Sequence, residues 1–380
     1  MKLFALIAAA ILLLLPLEAR AGGVGFTQIS ISNGADKPLV VGVWYPSDAA
    51  PGPRSRASLG EVLALGGPVA GHGLPLIVMS HGNGGWYGGH HDTAVALAQA
   101  GFVVAAVSHT GDTYDDQSRA TVMQGRPQHI HRLIDYMLAE WPDHARLDPA
   151  RVGMFGFSSG GFTTLVSIGG VPDFTKVPAH IAAHPDYFDA QLIKRSGVTA
   201  DRFNMLPPSV WIHDPRIKAA VVAAPALGYT FGREGLKDIH IPVQLWRDEE
   251  DHILPNPDYA EAVRIALPSP PEYHLVPNAD HFDFLAPCDP ELAKSVPSIC
   301  TSRPGFDRAA FHEAFNREIV RFFQKTLGSA AGPVGALTAP AGRRAWRSRP
   351  SSYPGPAATS SPRSRRIRWA RRSRRSGTGG

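Results

Sequence analysis

The fold of this chain is decided by the stretch Val152-Gly153-Met154-Phe155-Gly156-Phe157-Ser158-Ser159-Gly160-Gly161. Its apolar first half is typical of a buried strand, and a helix is predicted around Phe162–Ile168 directly after it. Between them, Gly156–Gly160 fits G-x-S-x-G, a sharp strand-to-helix turn whose strained central Ser needs small neighbours. Such a turn holds the Ser158 hydroxyl above the sheet, at a helix N-terminus that favours negative charge. Ser158 is therefore a candidate nucleophile.

Outward from this turn, short apolar runs alternate with helical patterns, which predicts an α/β fold. We expect a mostly parallel, doubly wound sheet with helices on both faces. An opening hairpin is predicted from Phe26–Ser32 and Val40–Tyr45. The other predicted strands are Leu74–Ser80, Phe102–Ser108, Val152–Phe157, Ile217–Ala224, Pro242–Trp246 and Tyr273–Val276, and the main helices are His91–Ala100, Arg126–Glu140 and Phe306–Leu327.

Two long segments interrupt this alternation. Residues 46–73 are rich in Pro and Gly and include a short apolar piece, Val62–Leu65. Residues 171–214 are too many for a simple connection, and they carry several aromatic residues among polar ones. This insertion emerges at the carboxyl edge of the strands, where α/β proteins bind ligands. We expect a cap over the site; a surface subdomain without a binding role is the alternative.

A serine nucleophile needs a base, and an acid must hold that base in the right tautomer. In this type of fold the chain order is Ser, acid, His. Asp251 follows a predicted strand in Asp251-His252-Ile253-Leu254-Pro255, and His281 follows the next one in Asp280-His281-Phe282. We therefore predict a Ser158–Asp251–His281 triad. Asp248, Glu249 and Glu250 are then expected to be ordinary loop charges, with Glu250 the main competitor for the acid.

Acyl transfer also needs N–H donors for the oxyanion of the tetrahedral intermediate. One is expected from the amide of Ser159, directly after the nucleophile. The other is expected from the small-residue turn His81-Gly82-Asn83-Gly84-Gly85-Trp86, where the amide of Asn83 is the candidate. Trp86, at the end of this turn, is a candidate substrate-binding residue. Taken alone, the turn is equally compatible with an ordinary Gly-rich tight turn.

The chain resembles the dienelactone-hydrolase-like and platelet-activating-factor-acetylhydrolase-like branch of the α/β-hydrolases, from about Val40 to Leu327. The resemblance rests on Trp44-Tyr45-Pro46, Ser80-His81-Gly82-Asn83-Gly84, the segment 97–105, the Gly156–Gly160 elbow and Asp280-His281-Phe282. It implies the α/β-hydrolase fold and ester hydrolysis without a cofactor. The family's motif positions fall on Ser158, His281, Asn83 and Ser159. Dienelactone hydrolases proper carry Cys where this chain has Ser158.

Other patterns do not predict a metal or a nucleotide. His90-His91-Asp92 opens a helix, and His129 and His131 lie two apart within one, so that their imidazoles diverge. No ligand set with metal-site spacing follows from these residues. The chain contains neither G-x-G-x-x-G nor G-x-x-x-x-G-K-[ST]. We expect no cofactor, no metal and no nucleic-acid partner.

The chain ends differ from its body. Lys2, an apolar run to Leu17 and Ala19-Arg20-Ala21 predict a signal peptide, residues 1–21, cut after Ala21. From Arg343 onward there are 12 Arg and no acidic residue, and removing these 12 charges from the net +5 leaves −7. Residues 328–380 are predicted to be a disordered tail, which leaves residues 22–327 as the hydrolase domain.

In an exported protein, Cys288 and Cys300 are expected to form a disulfide across a Pro-rich loop. No stretch of the body is long and apolar enough to cross a bilayer. The sequence thus predicts a periplasmic or secreted serine carboxylic-ester hydrolase that acts on a small-molecule or lipid ester. The alternatives are a lipase- or phospholipase-like enzyme and a non-catalytic binding protein on the same fold.

Overall fold

The computed structural model describes residues 23–199 and 207–328. These residues contain nine strands, which form one sheet. The strands are β1 (Gly23–Asn33), β2 (Asp36–Ser47), β3 (Ala64–Leu65), β4 (Leu74–Ser80), β5 (Val103–Ser108), β6 (Leu147–Phe157), β7 (Ile217–Ala223), β8 (Val243–Asp248) and β9 (Glu272–Val276).

The order of the strands in the sheet is β3-β1-β2-β5-β4-β6-β7-β8-β9. From β5 to β9 all neighbours are parallel, whereas β2 is antiparallel to both β1 and β5. The prediction of a mostly parallel sheet that opens with a hairpin is confirmed. The short strand β3 was not predicted, because two residues give too little pattern to distinguish a strand from a loop; it pairs in parallel with β1.

The helices are α1 (His91–Gln99), α2 (Gly125–Ala139), α3 (Ser159–Ser167), α4 (Val177–Ala183), α5 (Phe188–Ser196), α6 (Arg233–Leu236), α7 (Ala260–Ala266), α8 (Pro290–Ser295), α9 (Pro297–Cys300) and α10 (Arg308–Leu327). Three of them match the predicted long helices closely. Among the described residues, no helix is both long enough and apolar enough to span a membrane.

Successive side chains of a strand point to opposite faces of the sheet, and in the central strands both sets are apolar. Both faces are therefore covered by helices. In β4, Ile77 packs into the core beneath α1 and α10, whereas Val78 packs into the core beneath α2. Farther along the sheet, α3 and α7 contribute to a third cluster of buried residues. The doubly wound arrangement is therefore confirmed.

The described parts of the 171–214 insertion fold onto the helix that follows Ser158. Phe174 and Trp211 of the insertion each lie with their ring centres 5.8 Å from that of Phe162 in α3. Residues 200–206, the predicted signal peptide and the predicted tail from residue 329 onward lie outside the described residues. The predicted disulfide joins Cys288 and Cys300.

Candidate active site

Ser158 stands alone between the end of β6 and the start of α3, at φ 56° and ψ −118°. The chain turns so sharply here that the flanking glycines touch neighbouring backbone. A Cβ on Gly156 would lie 2.1 Å from the carbonyl oxygen of Gly160, and one on Gly160 would lie 1.9 Å from that of Ser80. These contacts are the physical reason for the G-x-S-x-G pattern at this position.

The structure brings the three predicted triad residues together. The Nε2 atom of His281 lies 3.0 Å from the Ser158 hydroxyl, and its Nδ1 atom lies 2.9 Å from Oδ2 of Asp251. His281 is 2% exposed, and its ring packs against Phe157. This arrangement can pass the serine proton to the imidazole while a carboxylate holds the opposite nitrogen.

Asp251 is fixed by its own loop. Its Oδ1 atom accepts hydrogen bonds from the amides of Ile253 (2.9 Å) and Leu254 (2.7 Å), which leaves Oδ2 for His281. Burial would raise the pKa of Asp251, but His281 and the amide of Leu254 outweigh it and hold the pKa below its ordinary value. Asp251 is therefore ionised at neutral pH.

Asp248 is not the ordinary loop charge that the sequence predicted. It is the last residue of β8, is 1% exposed, and lies 3.9 Å from Nδ1 of His281. Its carboxyl makes no regular hydrogen bond among the described residues. Burial, and next the charge of Asp251, raise the pKa of Asp248 well above its ordinary value. Two neighbouring carboxyls thus stand behind the imidazole, and the surroundings of Asp248 favour its protonated form.

The other acids of this loop behave as predicted. Glu250 is half exposed and pairs with Arg303 at 3.6 Å, and Glu249 accepts a hydrogen bond from the amide of Asn278. His252, next to Asp251, contacts Asp280 at 2.5 Å. None of these three groups is placed against Ser158 by a described contact.

The turn predicted to hold the oxyanion lies against the nucleophile. A Cβ on Gly82 would sit 3.2 Å from the Cβ of Ser158. The next residue, Asn83, donates its side-chain amide to Asp112 Oδ1 at 2.8 Å, and the backbone amide of Gly84 bonds to the same atom. The side chain of Asn83 is therefore committed to Asp112, and only the backbone amide of Asn83 remains as a donor toward Ser158. The roles of Asn83 and Ser159 as oxyanion donors stay predictions.

A buried ion pair that the sequence did not reveal supports this turn. Arg126 of α2 pairs with Asp112, and each side chain is 3% exposed. The same guanidinium donates to the carbonyl of His81 and to Thr163 of α3. Arg126 thus ties the turn that begins at His81 to the helix that begins directly after Ser158. Asp112 and Arg126 are 14 positions apart and lie on different elements, so no local sequence pattern predicts that they pair.

A pocket opens beside Ser158 and Ser159 and contains about 560 Å³ of unfilled space, its mouth included. Much of its wall belongs to the inserted segment, whose role as a cap stays a prediction. Its lining is apolar except for the two serines, Thr121 and the carboxyl of Asp189. The residues that the insertion contributes are Phe174, Val177, Phe188, Asp189, Leu192 and Ile193.

Trp86 lies elsewhere. It is partly buried, packs against Tyr87 with ring centres 4.8 Å apart, and meets the edge of Tyr114 at 6.4 Å. It does not line the pocket formed by the described residues. Its role in substrate binding stays a prediction that no contact in the structure supports.

His129 and His131, which were weighed as metal ligands from the sequence, make other contacts. His129 lies 3.4 Å from Asn33 and 3.2 Å from His109, whereas His131 contacts Asp214, so the two rings diverge. Within the described residues, three other sets of His and acidic side chains have metal-site spacing. They are His180, His184 and Asp258; Asp248, Asp251 and His281; and Glu272, His274 and Glu318.

The parallel sheet, the strained serine at the strand-to-helix turn and the Ser–acid–His order define an α/β-hydrolase fold. Among solved structures, the chain is similar to a ferulic acid esterase from Streptomyces cinnamoneus, with a TM-score of 0.55 and 20% identity. The match covers 85% of this chain and 95% of the esterase. No family model matches the chain, and a search of curated proteins gave no match. At this identity the likeness supports the fold.

Proposed function

We propose that this protein is an exported serine hydrolase that cleaves carboxylic esters through an acyl-enzyme on Ser158. The observation that carries the proposal is the continuous chain from Ser158 through His281 to the ionised Asp251, at 3.0 Å and 2.9 Å. The resemblance to dienelactone-hydrolase-like and acetylhydrolase-like enzymes supports the same chemistry. So does the fold, which this chain shares with an esterase.

In the proposed reaction, Nε2 of His281 takes the proton of the Ser158 hydroxyl as its oxygen attacks the ester carbonyl carbon. The carbonyl electrons move onto oxygen, and the amides of Ser159 and Asn83 stabilise that oxyanion. The intermediate collapses, and the departing alkoxide takes the proton from His281. Water then attacks the acyl-enzyme by the same steps, which releases the acid and restores Ser158.

The pocket beside Ser158 favours a substrate whose ester carries an apolar group. Its walls are mostly aliphatic and aromatic, and Asp189 is its only charged lining residue among those described. Small-ester hydrolysis is the first candidate. A lipase- or phospholipase-like activity is the second, and the apolar wall that the insertion provides is the observation that favours it.

The test is a series of p-nitrophenyl esters from acetate to palmitate with the purified protein and its Ser158→Ala variant. We expect burst kinetics with the wild type and loss of turnover in the variant. A maximum of kcat/KM at short acyl chains supports the esterase, whereas a maximum at long chains supports the lipid enzyme. Equal turnover by the wild type and Ser158→Ala would remove Ser158 from the mechanism.

The export part of the proposal rests on the N-terminal pattern and on the Cys288–Cys300 disulfide, which suits an oxidising compartment. Expression of the complete chain in a bacterium, with separation of periplasm from cytoplasm, tests it. We expect a periplasmic product whose N-terminus is Gly22. A cytoplasmic product that retains Met1 or Lys2 would contradict it.

A further inference from the structure

Three side chains of metal-binding type meet where the inserted segment lies against the loop that follows β8. His180 lies in α4, His184 directly follows α4, and Asp258 lies in the loop that begins with Asp251. One ligand atom of each lies within 4.8 Å of the other two. The Nε2 atom of His184 is 3.8 Å from Oδ2 of Asp258. Because the histidines are four residues apart on a helical turn, both project from the same face.

Both imidazole rings are held in place by stacked tyrosines. The ring of His180 lies parallel to that of Tyr229, with centres 3.5 Å apart, and the ring of His184 stacks on Tyr187 at 4.4 Å. Rings fixed in this way lose little freedom on binding, which favours a preformed site.

The surroundings supply further oxygen atoms and negative charge. The Nε2 atom of His180 lies 3.3 Å from the hydroxyl of Tyr259 and 3.9 Å from Oδ2 of Asp189. Asp189 therefore adds negative charge near His180, and its Oδ2 atom also accepts a hydrogen bond from the hydroxyl of Tyr229. Among the described residues, Asp258 forms an ion pair with His184 alone. Its charge is therefore not already neutralised by an Arg or Lys side chain of the described chain.

The other two sets with metal-site spacing are already occupied by protein contacts. His281 and Asp251 are committed to Ser158 and to each other. In the third set, Arg321 pairs with both Glu272 and Glu318. In the set of His180, His184 and Asp258, no Arg or Lys of the described residues pairs with Asp258. The contacts of His180 with Tyr259 and Asp189 are 3.3 Å and 3.9 Å long.

We propose that His180, His184 and Asp258 bind one divalent transition-metal ion of the zinc type. Two imidazoles and a carboxylate suit such an ion at bond lengths of roughly 2.0–2.2 Å, which puts ligand atoms about 3.3 Å apart in a tetrahedron. The ligand atoms now lie within 4.8 Å of one another, so binding requires them to approach by up to about 1.5 Å. His184 and Asp258 are partly exposed, so that water fills the remaining position.

Such an ion clamps the inserted segment to the acid-bearing loop. Val177, in the first turn of α4, and Leu254, four residues before Asp258, both line the pocket beside Ser158. An ion that joins these two elements therefore fixes two walls of the pocket relative to each other. The site itself does not depend on the proposed chemistry at Ser158.

The test uses the full-length Ser158→Ala protein, freed of metal with a chelator and titrated with zinc chloride in a calorimeter. We expect one ion per chain and a rise in Tm on zinc addition, because an ion that binds only the folded state stabilises it. Loss of a second-shell group typically weakens metal binding by about 10- to 100-fold, and loss of a ligand should cost more. We therefore expect His184→Ala to weaken zinc binding by about 100-fold or more and to abolish the rise in Tm. Asp258→Asn, which keeps the side-chain shape, should weaken it in the same direction.

His274→Ala is the matched control, because it removes the histidine of the set held by Arg321 and should leave zinc affinity unchanged. The proposal is overturned if the Ser158→Ala protein takes up no zinc at 100-fold molar excess. It is also overturned if His184→Ala and Asp258→Asn bind as tightly as their parent, or if His274→Ala is the variant that loses the ion. Zinc bound as expected by the Ser158→Ala protein, together with a wild type that hydrolyses no p-nitrophenyl ester, would uphold this site while the proposed function failed.

Discussion

Replacing Asp248 by Asn tests which of two neighbouring acids serves the imidazole. Asp248 lies 3.9 Å from Nδ1 of His281, whereas Asp251 lies 2.9 Å from it. If Asp248 were ionised, its charge would stabilise an imidazolium by about 4 kcal/mol at an effective dielectric constant of about 20. Its loss would then lower kcat/KM by about 10³-fold. Because burial and Asp251 raise the pKa of Asp248 and so favour its protonated form, we expect Asp248→Asn to stay within about threefold of the wild type.

The assay is kcat/KM for a short p-nitrophenyl ester at pH 7.5, with Asp251→Asn as the paired variant. We expect Asp251→Asn to lose about 10⁴-fold, as an Asn in this position favours the wrong imidazole tautomer. A loss near 10³-fold in Asp248→Asn would refute the protonated state. A near-normal rate in Asp251→Asn would move the acid of the triad elsewhere.

The same substitution has a predicted effect on stability. Since burial and Asp251 raise the folded-state pKa of Asp248, the unfolded chain holds fewer protons than the folded one above the ordinary Asp pKa of about 4. This carboxyl therefore lowers stability as the pH rises from about 4 toward its folded pKa. We expect Asp248→Asn to be more stable than the wild type at pH 7.5, by urea unfolding, with a smaller gain at pH 4. A variant less stable at pH 7.5 would contradict this.

Three further variants, one of them a double substitution, test the framework around the site. Gly160→Ala should prevent proper folding or lower the free energy of unfolding in urea by more than about 3 kcal/mol, since its Cβ would lie 1.9 Å from a backbone oxygen. Gly125→Ala is the neutral control, because the space around Gly125 is open. Asp112→Asn leaves the buried guanidinium of Arg126 unpaired and should lower the free energy of unfolding by about 3–5 kcal/mol. We also expect it to lower kcat more than it raises KM. An unchanged unfolding midpoint would contradict the pairing. Replacing Cys288 and Cys300 together by Ser should cost about 3 kcal/mol, and dithiothreitol should destabilise the wild type but not this variant.

The fold and the strained turn at Ser158 could be predicted because their signals are local. The run from Val152 to Gly161 combines an apolar strand, a small-residue turn and a helix start, and each of these depends on near neighbours. His281 was found through its order in the chain and its place beyond a strand. The long helices and the central strands followed from apolar periodicity in the same way.

Asp248 was misjudged because of a strand boundary. The prediction ended this strand at Trp246, whereas β8 runs two residues farther and carries Asp248 into the core. Strand ends have weak sequence signals, since a half-buried Arg247 looks the same in a strand and in a loop. A shift of two residues was enough to change an expected surface charge into a buried acid.

Contacts between distant elements could not be predicted from a single sequence. The pairing of Arg126 with Asp112 and the meeting of Asp258 with His184 depend on how helices and loops pack. The spacing of His180 and His184 was visible, but no helix was predicted within the insertion to place them on one face. The pocket wall formed by the insertion likewise depends on docking that only the three-dimensional structure provides.

Fluorophosphonate labelling followed by intact-mass measurement tests whether Ser158 is an activated nucleophile. We expect the wild type to gain one phosphonyl group per chain and Ser158→Ala to gain none. His281→Ala, which removes the base 3.0 Å from the hydroxyl, should react far more slowly. An unlabelled wild type, or a Ser158→Ala variant labelled as fast as the wild type, would contradict the account and favour a binding protein on this fold.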